Sequence, residues 1–250
     1  MEQPLAVCLC CTYGRPVLLG EAVKCFLDQD YPNKHLIISN DQEGVILKLE
    51  EDHPDITIIN YPERFNSLGE KRNAMKDQMD GDYFFIWDDD DLYTPWRISK
   101  SIEVMKEIQN VDIIKVATAF MSTNNMYYKQ VHNLFHSQAC ITKEYMSKTD
   151  YPEISVGEDM SFEKKARIHS IHTMPLLWYV YRWGMNIHHL SGVTDEKESW
   201  ERSLNFEPYN ELKGEVIIKP EFKMDYWGEI EKILRGTHSE IWRKKTNEKS

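Results

Sequence analysis

Apolar positions come in short runs separated by polar breaks. Leu5–Cys11 is apolar throughout and gives way to Thr12-Tyr13-Gly14-Arg15-Pro16, the outline of a strand followed by a loop. Pro16 suits a first helical turn, and apolar residues at 17, 18, 22, 23, 26 and 27 predict a helix over Val17–Leu27. Asp30-Tyr31-Pro32-Asn33 breaks it. Leu36–Ser39 reads as a second strand ending at Asn40-Asp41, Ile56–Ile59 as a third, and Leu68–Met79 as a helix. Tyr83–Trp87 is a fourth strand with no polar alternation, so both of its faces are expected to be buried. A helix over Pro95–Ile108 and a strand over Asp112–Ala119 continue the series. The pattern then loosens, with short strands at Met126–Gln130 and Ala139–Thr142, a helix over Met160–Ile168 and an aromatic strand over Leu176–Arg182. Tyr226–Leu234 reads as a helix docking on the body.

Strands alternating with helices are the βαβ rhythm of a mostly parallel central sheet flanked by helices, an α/β fold. Residues 1–190 form the patterned body, and 191–250 a more polar extension expected to pack on it. No run of about 20 apolar residues exists, which predicts no transmembrane helix. Met1-Glu2-Gln3-Pro4 lacks the basic start of a secretory leader, so a cytoplasmic protein is expected.

Charge changes the picture only once it is placed. Thirty Lys plus Arg against 41 Asp plus Glu leave a formal net charge of −11, which argues against coating nucleic acid or anionic membrane by bulk charge. Arg243-Lys244-Lys245 is the single basic cluster. The five cysteines, Cys8, Cys10, Cys11, Cys25 and Cys140, are odd in number and have no second ligand pair at zinc spacing, so they read as buried reduced thiols. Cys8 and Cys10 would share one strand face.

Asp88-Asp89-Asp90-Asp91 follows directly on the apolar strand Tyr83–Trp87. Four adjacent carboxylates repel one another, and a divalent cation is the natural compensation, since hard oxygen ligands suit Mg²⁺, Mn²⁺ or Ca²⁺. In an extended segment Asp88 and Asp90 would face one site together, at the carboxyl end of a strand where parallel sheets bind ligands. A solvated acidic turn is the plain alternative.

The stretch Phe85-Ile86-Trp87-Asp88-Asp89-Asp90-Asp91-Leu92-Tyr93-Thr94-Pro95 resembles the Asp-X-Asp region of family 2 glycosyltransferases with the GT-A fold. Other landmarks fall in that family's order. Thr12-Tyr13-Gly14-Arg15-Pro16 is similar to its first-strand loop, with Gly14 replacing the usual Asn, and Gln29-Asp30-Tyr31-Pro32-Asn33 to its Gln-Thr-Tyr-Pro-Asn turn. Ser39-Asn40-Asp41, Gly69-Glu70-Lys71-Arg72-Asn73 and Gly157-Glu158-Asp159 resemble its second-strand end, its helix start and its Gly-Glu-Asp motif. The resemblance covers roughly residues 5 to 190 and implies a Rossmann-like central sheet with a smaller mixed acceptor-side region.

It also implies a reaction: transfer of a sugar from a nucleoside diphosphate to an acceptor hydroxyl with inversion, using Mn²⁺ or Mg²⁺. Asp90 would be the main metal ligand and Asp88 would hold the metal or the ribose. Asp91 would lie at the sugar, and Asp89 is the bystander of the donor-binding run. Asp159 would be the general base, with Glu158 the runner-up. Thr12, Tyr13 and Arg15 would border the nucleotide, with Tyr13 free to stack. Asp41 would accept from a uracil N–H, other bases staying open, while Arg72 would reach base or phosphates and Asn73 would brace the loop. In Tyr181-Arg182-Trp183-Gly184-Met185-Asn186-Ile187-His188-His189, either histidine would complete the metal shell and Arg182 would contact the diphosphate or sugar. Trp178, Tyr179, Tyr181 and Trp183 would form a sugar-stacking wall or, more simply, core.

A UDP-sugar is the favoured donor. The acceptor is open between a glycan, a protein and a modified base in DNA. Two other readings stand beside this one. A sugar nucleotidyltransferase would need a glycine-rich first loop, and the loop here holds a single glycine, Gly14. A non-catalytic binding module would need a missing base, whereas Glu158-Asp159 are present.

Overall fold

The computed structural model of the chain describes residues 3–78, 80–123, 127–132, 134–171, 179–183 and 211–230. In chain order the elements are β1 (Ala6–Thr12), α1 (Pro16–Leu27), β2 (Lys34–Asn40), β3 (Val45–Leu49), β4 (Ile56–Asn60) and α2 (Leu68–Lys76). Next come β5 (Tyr83–Ile86), β6 (Leu92–Tyr93), α3 (Arg97–Glu107), β7 (Ile113–Val116), β8 (Thr118–Thr123) and β9 (Tyr127–His132). A 3₁₀ turn (His136–Gln138), β10 (Cys140–Thr142), α4 (Lys143–Lys148), α5 (Glu158–Glu163), β11 (Ile168–Ile171), β12 (Tyr179–Trp183) and β13 (Gly214–Ile218) complete the list.

Seven strands form the central sheet in the order β11-β7-β10-β5-β1-β2-β4, all parallel neighbours except β10, which runs antiparallel to β5 and β7. The chain leaves β1 toward β2 and β4 on one side and returns to β5 on the other. Strand order thus reverses between β1 and β5, and the crevice at their carboxyl ends is the place where such sheets bind ligands. Side chains alternate between two cores: Cys8 and Cys10 pack on one face with Phe85 and Trp87, and Val7, Leu9 and Cys11 on the other with Phe84 and Ile86. All five thiols are buried and unpaired. Phe84–Trp87 are buried, as the unbroken apolar run predicts.

A second sheet, β6-β12-β8-β9, lies beyond the acidic segment, and β13 pairs in parallel with β3. The C-terminal residues 214–218 therefore pack on the body, and residues 226–230 begin a helix. Three expectations are corrected. The apolar run after Asp112 is two strands in different sheets, separated at Ala117, whose N–H bonds to the Ile171 carbonyl at 2.9 Å. The helix expected over Met160–Ile168 is α5, which stops at Glu163 because Ile168 belongs to a strand paired with β7. The strand β3 had no predicted counterpart. The Asn60 amide ties it down, accepting from Leu47 N–H at 2.8 Å and donating to the Leu47 carbonyl at 3.1 Å.

Two devices set the position of α2. Ser67 caps it, its Oγ accepting from Glu70 N–H at 3.1 Å, while the Glu70 carboxylate reaches back to Asn66 N–H at 2.9 Å. Gly69 then lets the helix close on the loop before α5: a Cβ there would run into the Pro152 carbonyl oxygen, and Gly69 N–H bonds to the Ile154 carbonyl at 3.1 Å. Asn73, one turn on, exchanges both amide bonds with the Tyr151 backbone at 2.8 Å each. Asn73 thus braces the Tyr151 loop.

Candidate active site

The four aspartates sit at the carboxyl end of β5, directly in the crevice, but they do not run extended. The chain turns at 89–90, so the alternation expected from an extended segment is lost and each carboxylate goes its own way. Asp89 turns inward and is fully enclosed; it accepts from Thr12 Oγ1 at 2.6 Å and Arg15 Nε at 3.1 Å. Asp89 bolts the acidic turn to the end of β1. Burial pushes its carboxyl up to about 6, opposed by Arg15 and reinforced by Asp90. Asp90 pairs with Arg15 Nη1 at 2.6 Å.

Asp91 is buried as well. It accepts from Tyr179 O–H at 2.5 Å and from the Arg182 backbone N–H at 3.0 Å, and burial raises its carboxyl well above the usual range. Arg182 has 1% exposure; its guanidinium donates to the Asp90 carbonyl and pairs with Glu21 of α1. Asp91, expected at the sugar, and Arg182, expected at the diphosphate or sugar, are thus buried in one network with Tyr179 and Glu21. Tyr179 and Tyr181 are buried and pack with Phe135, so these two belong to the core. Asp88 is the most open of the four, its side chain 31% exposed. Trp178, His188 and His189 lie outside the described residues, as does the side chain of Trp183.

At the neighbouring strand end, Asp41 is buried beside Lys71 of α2. Lys71 Nζ lies 2.5 Å from Asp41 Oδ1 and 2.7 Å from the Thr12 carbonyl, and Phe65 N–H donates to Asp41 Oδ2 at 3.1 Å. Tyr13 carries the Arg64 guanidinium over its ring, 4.3 Å from the centroid.

On the other side of the crevice, Arg72 stands between the acidic turn and α5. Its Nη2 lies 3.6 Å from Asp88 and its Nε 3.5 Å from Glu158. Glu158 is buried, and burial lifts its carboxyl to about 7 against the pull of Arg72. Asp159 is partly exposed and accepts from Met160 N–H at 2.7 Å. Gly157, at φ 76°, makes the turn that starts α5.

Behind α5 lies a buried cluster that sequence reasoning missed. Glu163 accepts from Lys115 Nζ and from His136 Nδ1 at 2.5 Å each, and His136 Nε2 lies 2.9 Å from the Tyr151 hydroxyl. The signal was present: Lys115 interrupts an Ile-Ile-Lys-Val strand.

The donor set near the crevice consists of carboxylate oxygens, chemistry that fits Mg²⁺ or Mn²⁺. Among the described residues no three His, Cys, Asp or Glu groups are arranged to hold a metal ion between them. Asp88 and Asp90 would therefore need phosphate or further oxygens to complete a shell. No described helix is long and apolar enough to cross a membrane.

Comparison with known proteins places this geometry. Residues 8–164 match glycosyl transferase family 2. A Bacillus subtilis (strain 168) protein named uncharacterized glycosyltransferase YwdF is 28% identical over 129 residues, 50% of this chain and 47% of that protein. The chain thus spans about half the length of that curated relative. Among solved structures, S. aureus TarS 1-349 in complex with UDP-GlcNAc aligns with TM-score 0.60 at 14% identity, covering 81% of this chain and 65% of that one. The mannosyltransferase PcManGT from Pyrobaculum calidifontis, in complex with GDP-Man and Mn²⁺, aligns with TM-score 0.53 at 16% identity, covering 72% and 57%. These likenesses show a shared fold, the GT-A arrangement of a mostly parallel sheet between helices.

Proposed function

The chain belongs to glycosyl transferase family 2, and on that premise we propose that it moves a sugar, with inversion, from a nucleoside diphosphate to an acceptor hydroxyl. One observation carries the reading: Arg72 brings the open carboxylate of the acidic turn, Asp88, within one guanidinium of Glu158, next to Asp159 on α5. Donor-side and acceptor-side carboxylates thereby face each other across the crevice at the strand-order reversal.

Each residue then has a task. Asp88 and Asp90 would hold Mn²⁺ or Mg²⁺, which when bound would neutralise charge developing on the leaving diphosphate. Arg15, paired with Asp89 and Asp90, keeps the acidic turn folded against β1. Asp159 takes the proton of the acceptor hydroxyl, because its carboxylate reaches solvent where an acceptor arrives. Glu158, enclosed against Arg72, positions that guanidinium. Tyr13 and Asp41 line the nucleoside end, with a UDP-sugar the favoured donor. Residues 1–190 form the catalytic unit and 191–250 an extension packed on it, in a cytoplasmic enzyme; the candidates His188 and His189 would add an imidazole to the metal shell.

The test is incubation with UDP-, GDP- and other nucleotide sugars and Mn²⁺, following the product released. A nucleoside diphosphate released slowly in the absence of acceptor supports the reading, and Asp90→Ala should abolish metal-dependent donor binding. Pyrophosphate release would instead mark nucleotidyl transfer. Unchanged donor affinity in Asp90→Ala would remove the metal assignment.

A further inference from the structure

We propose that Lys71 reads the donor's nucleobase by donating a hydrogen bond to the carbonyl nearest the ribose, the O2 of a uracil ring. The inference rests on the donor reading above and adds a residue that fixes which base is accepted. An ammonium has three N–H groups, and the structure gives partners to two of them on Lys71: the Thr12 carbonyl at 2.7 Å and Asp41 Oδ1 at 2.5 Å. Lys71 is only 4% exposed, so little solvent reaches its third N–H. Each oxygen of Asp41 has two acceptor sites, and its two protein partners leave capacity for a further donor. The pair thus offers a donor beside an acceptor in one enclosed place.

Topology sets their order. The acidic turn ends β5, Thr12 ends β1 and Asp41 follows β2, in the sheet order β5-β1-β2. From the diphosphate end to Asp41 is two strand spacings, about 10 Å, a span suited to one ribose and its base. Lys71, held on the Thr12 carbonyl, therefore comes before Asp41 along the nucleoside. Moving outward from the ribose, a uracil ring presents first the O2 acceptor and then the N3–H donor, matching Lys71 and then Asp41. Cytosine presents two acceptors in the same positions, and its N3 would face the Asp41 carboxylate.

Binding of UDP, CDP, GDP, 2-thio-UDP and 4-thio-UDP to the full chain with Mn²⁺ tests this. UDP should bind well and CDP poorly. Sulfur is a weak acceptor, so 2-thio-UDP should bind about 10-fold more weakly than UDP, while 4-thio-UDP matches UDP. In Lys71→Met the UDP/2-thio-UDP difference should vanish, which a lysine that merely neutralises Asp41 would not produce. Equal binding of UDP and 2-thio-UDP by the unaltered protein overturns the proposal without needing the variant, as does a thio penalty that survives in Lys71→Met. Binding of GDP but not UDP overturns Lys71's role and leaves the donor reading standing. Failure to bind any nucleoside diphosphate overturns both.

Discussion

Arg72 approaches both the acidic turn and α5, with its Nη2 3.6 Å from Asp88 and its Nε 3.5 Å from Glu158. Its Nε and Nη1 are buried and make no hydrogen bond among the described residues, so the guanidinium is held by charge and by Tyr151, whose ring centroid lies 5.6 Å away. Arg72→Met should destabilise the fold by about 1–3 kcal/mol in urea titration. It should also raise the Glu158 carboxyl further, since the cation that opposes burial is gone. Arg72→Lys, which keeps the charge, should recover part of both effects.

Asp159 and Glu158 are neighbours with opposite surroundings, one partly exposed and the other enclosed. Asp159→Asn should lower sugar transfer about 10²- to 10⁴-fold while donor binding, measured by calorimetry, stays within about twofold. A comparable rate in Asp159→Asn would reassign the base.

Gly69 permits α2 to meet the 152–154 loop without a side chain between them. Gly69→Ala should cost about 1–3 kcal/mol by overpacking. It should also separate Arg72 from Glu158, so the melting temperature and transfer rate should fall together.

Two titrating groups, His136 and Glu158, pull stability in opposite directions. Burial holds His136 below its ordinary value of 6.5, so the unfolded chain binds more protons below that pH, and this contribution is lost as pH falls. Glu158, raised from 4.5 to about 7, does the reverse: the folded state holds the extra proton, and stability falls as pH rises between those values. Denaturation midpoints measured from pH 5 to 8 should therefore tilt in opposite senses for His136→Asn and Glu158→Gln. His136→Asn removes a gain with rising pH, and Glu158→Gln removes a loss.

Legibility of the fold tracked how local the cause was. Strands β1, β2, β4 and β5 were readable because each is a short apolar run whose neighbours are also strands of the same sheet. By contrast β3 was not: its residues alternate between buried and exposed, and it is held by Asn60 and by distant β13. The acidic turn was found by composition, yet the separate fates of its members depend on Thr12, Arg15, Tyr179 and Arg182, which no local pattern connects to it. Lys115, His136 and Glu163 meet only in three dimensions, and of the three Lys115 alone, inside an apolar strand, stands out in the sequence.

Glu21 joins distant parts of the chain in one buried knot. One oxygen pairs with Arg182, which grips the Asp90 carbonyl, and the other accepts from Lys223 N–H at 3.0 Å and Tyr226 O–H at 2.8 Å. This gives the molecule a birth order. A ribosome that has delivered the acidic turn has still to deliver both the arginine that clamps it and the tyrosine that completes that arginine's counter-ion. Asp89 and Asp90 meet Arg15 early in the chain, but Asp91 and Glu21 gain their Arg182 partner only later and Glu21 its Tyr226 hydroxyl later still, so the crevice is completed by residues made well after the turn itself.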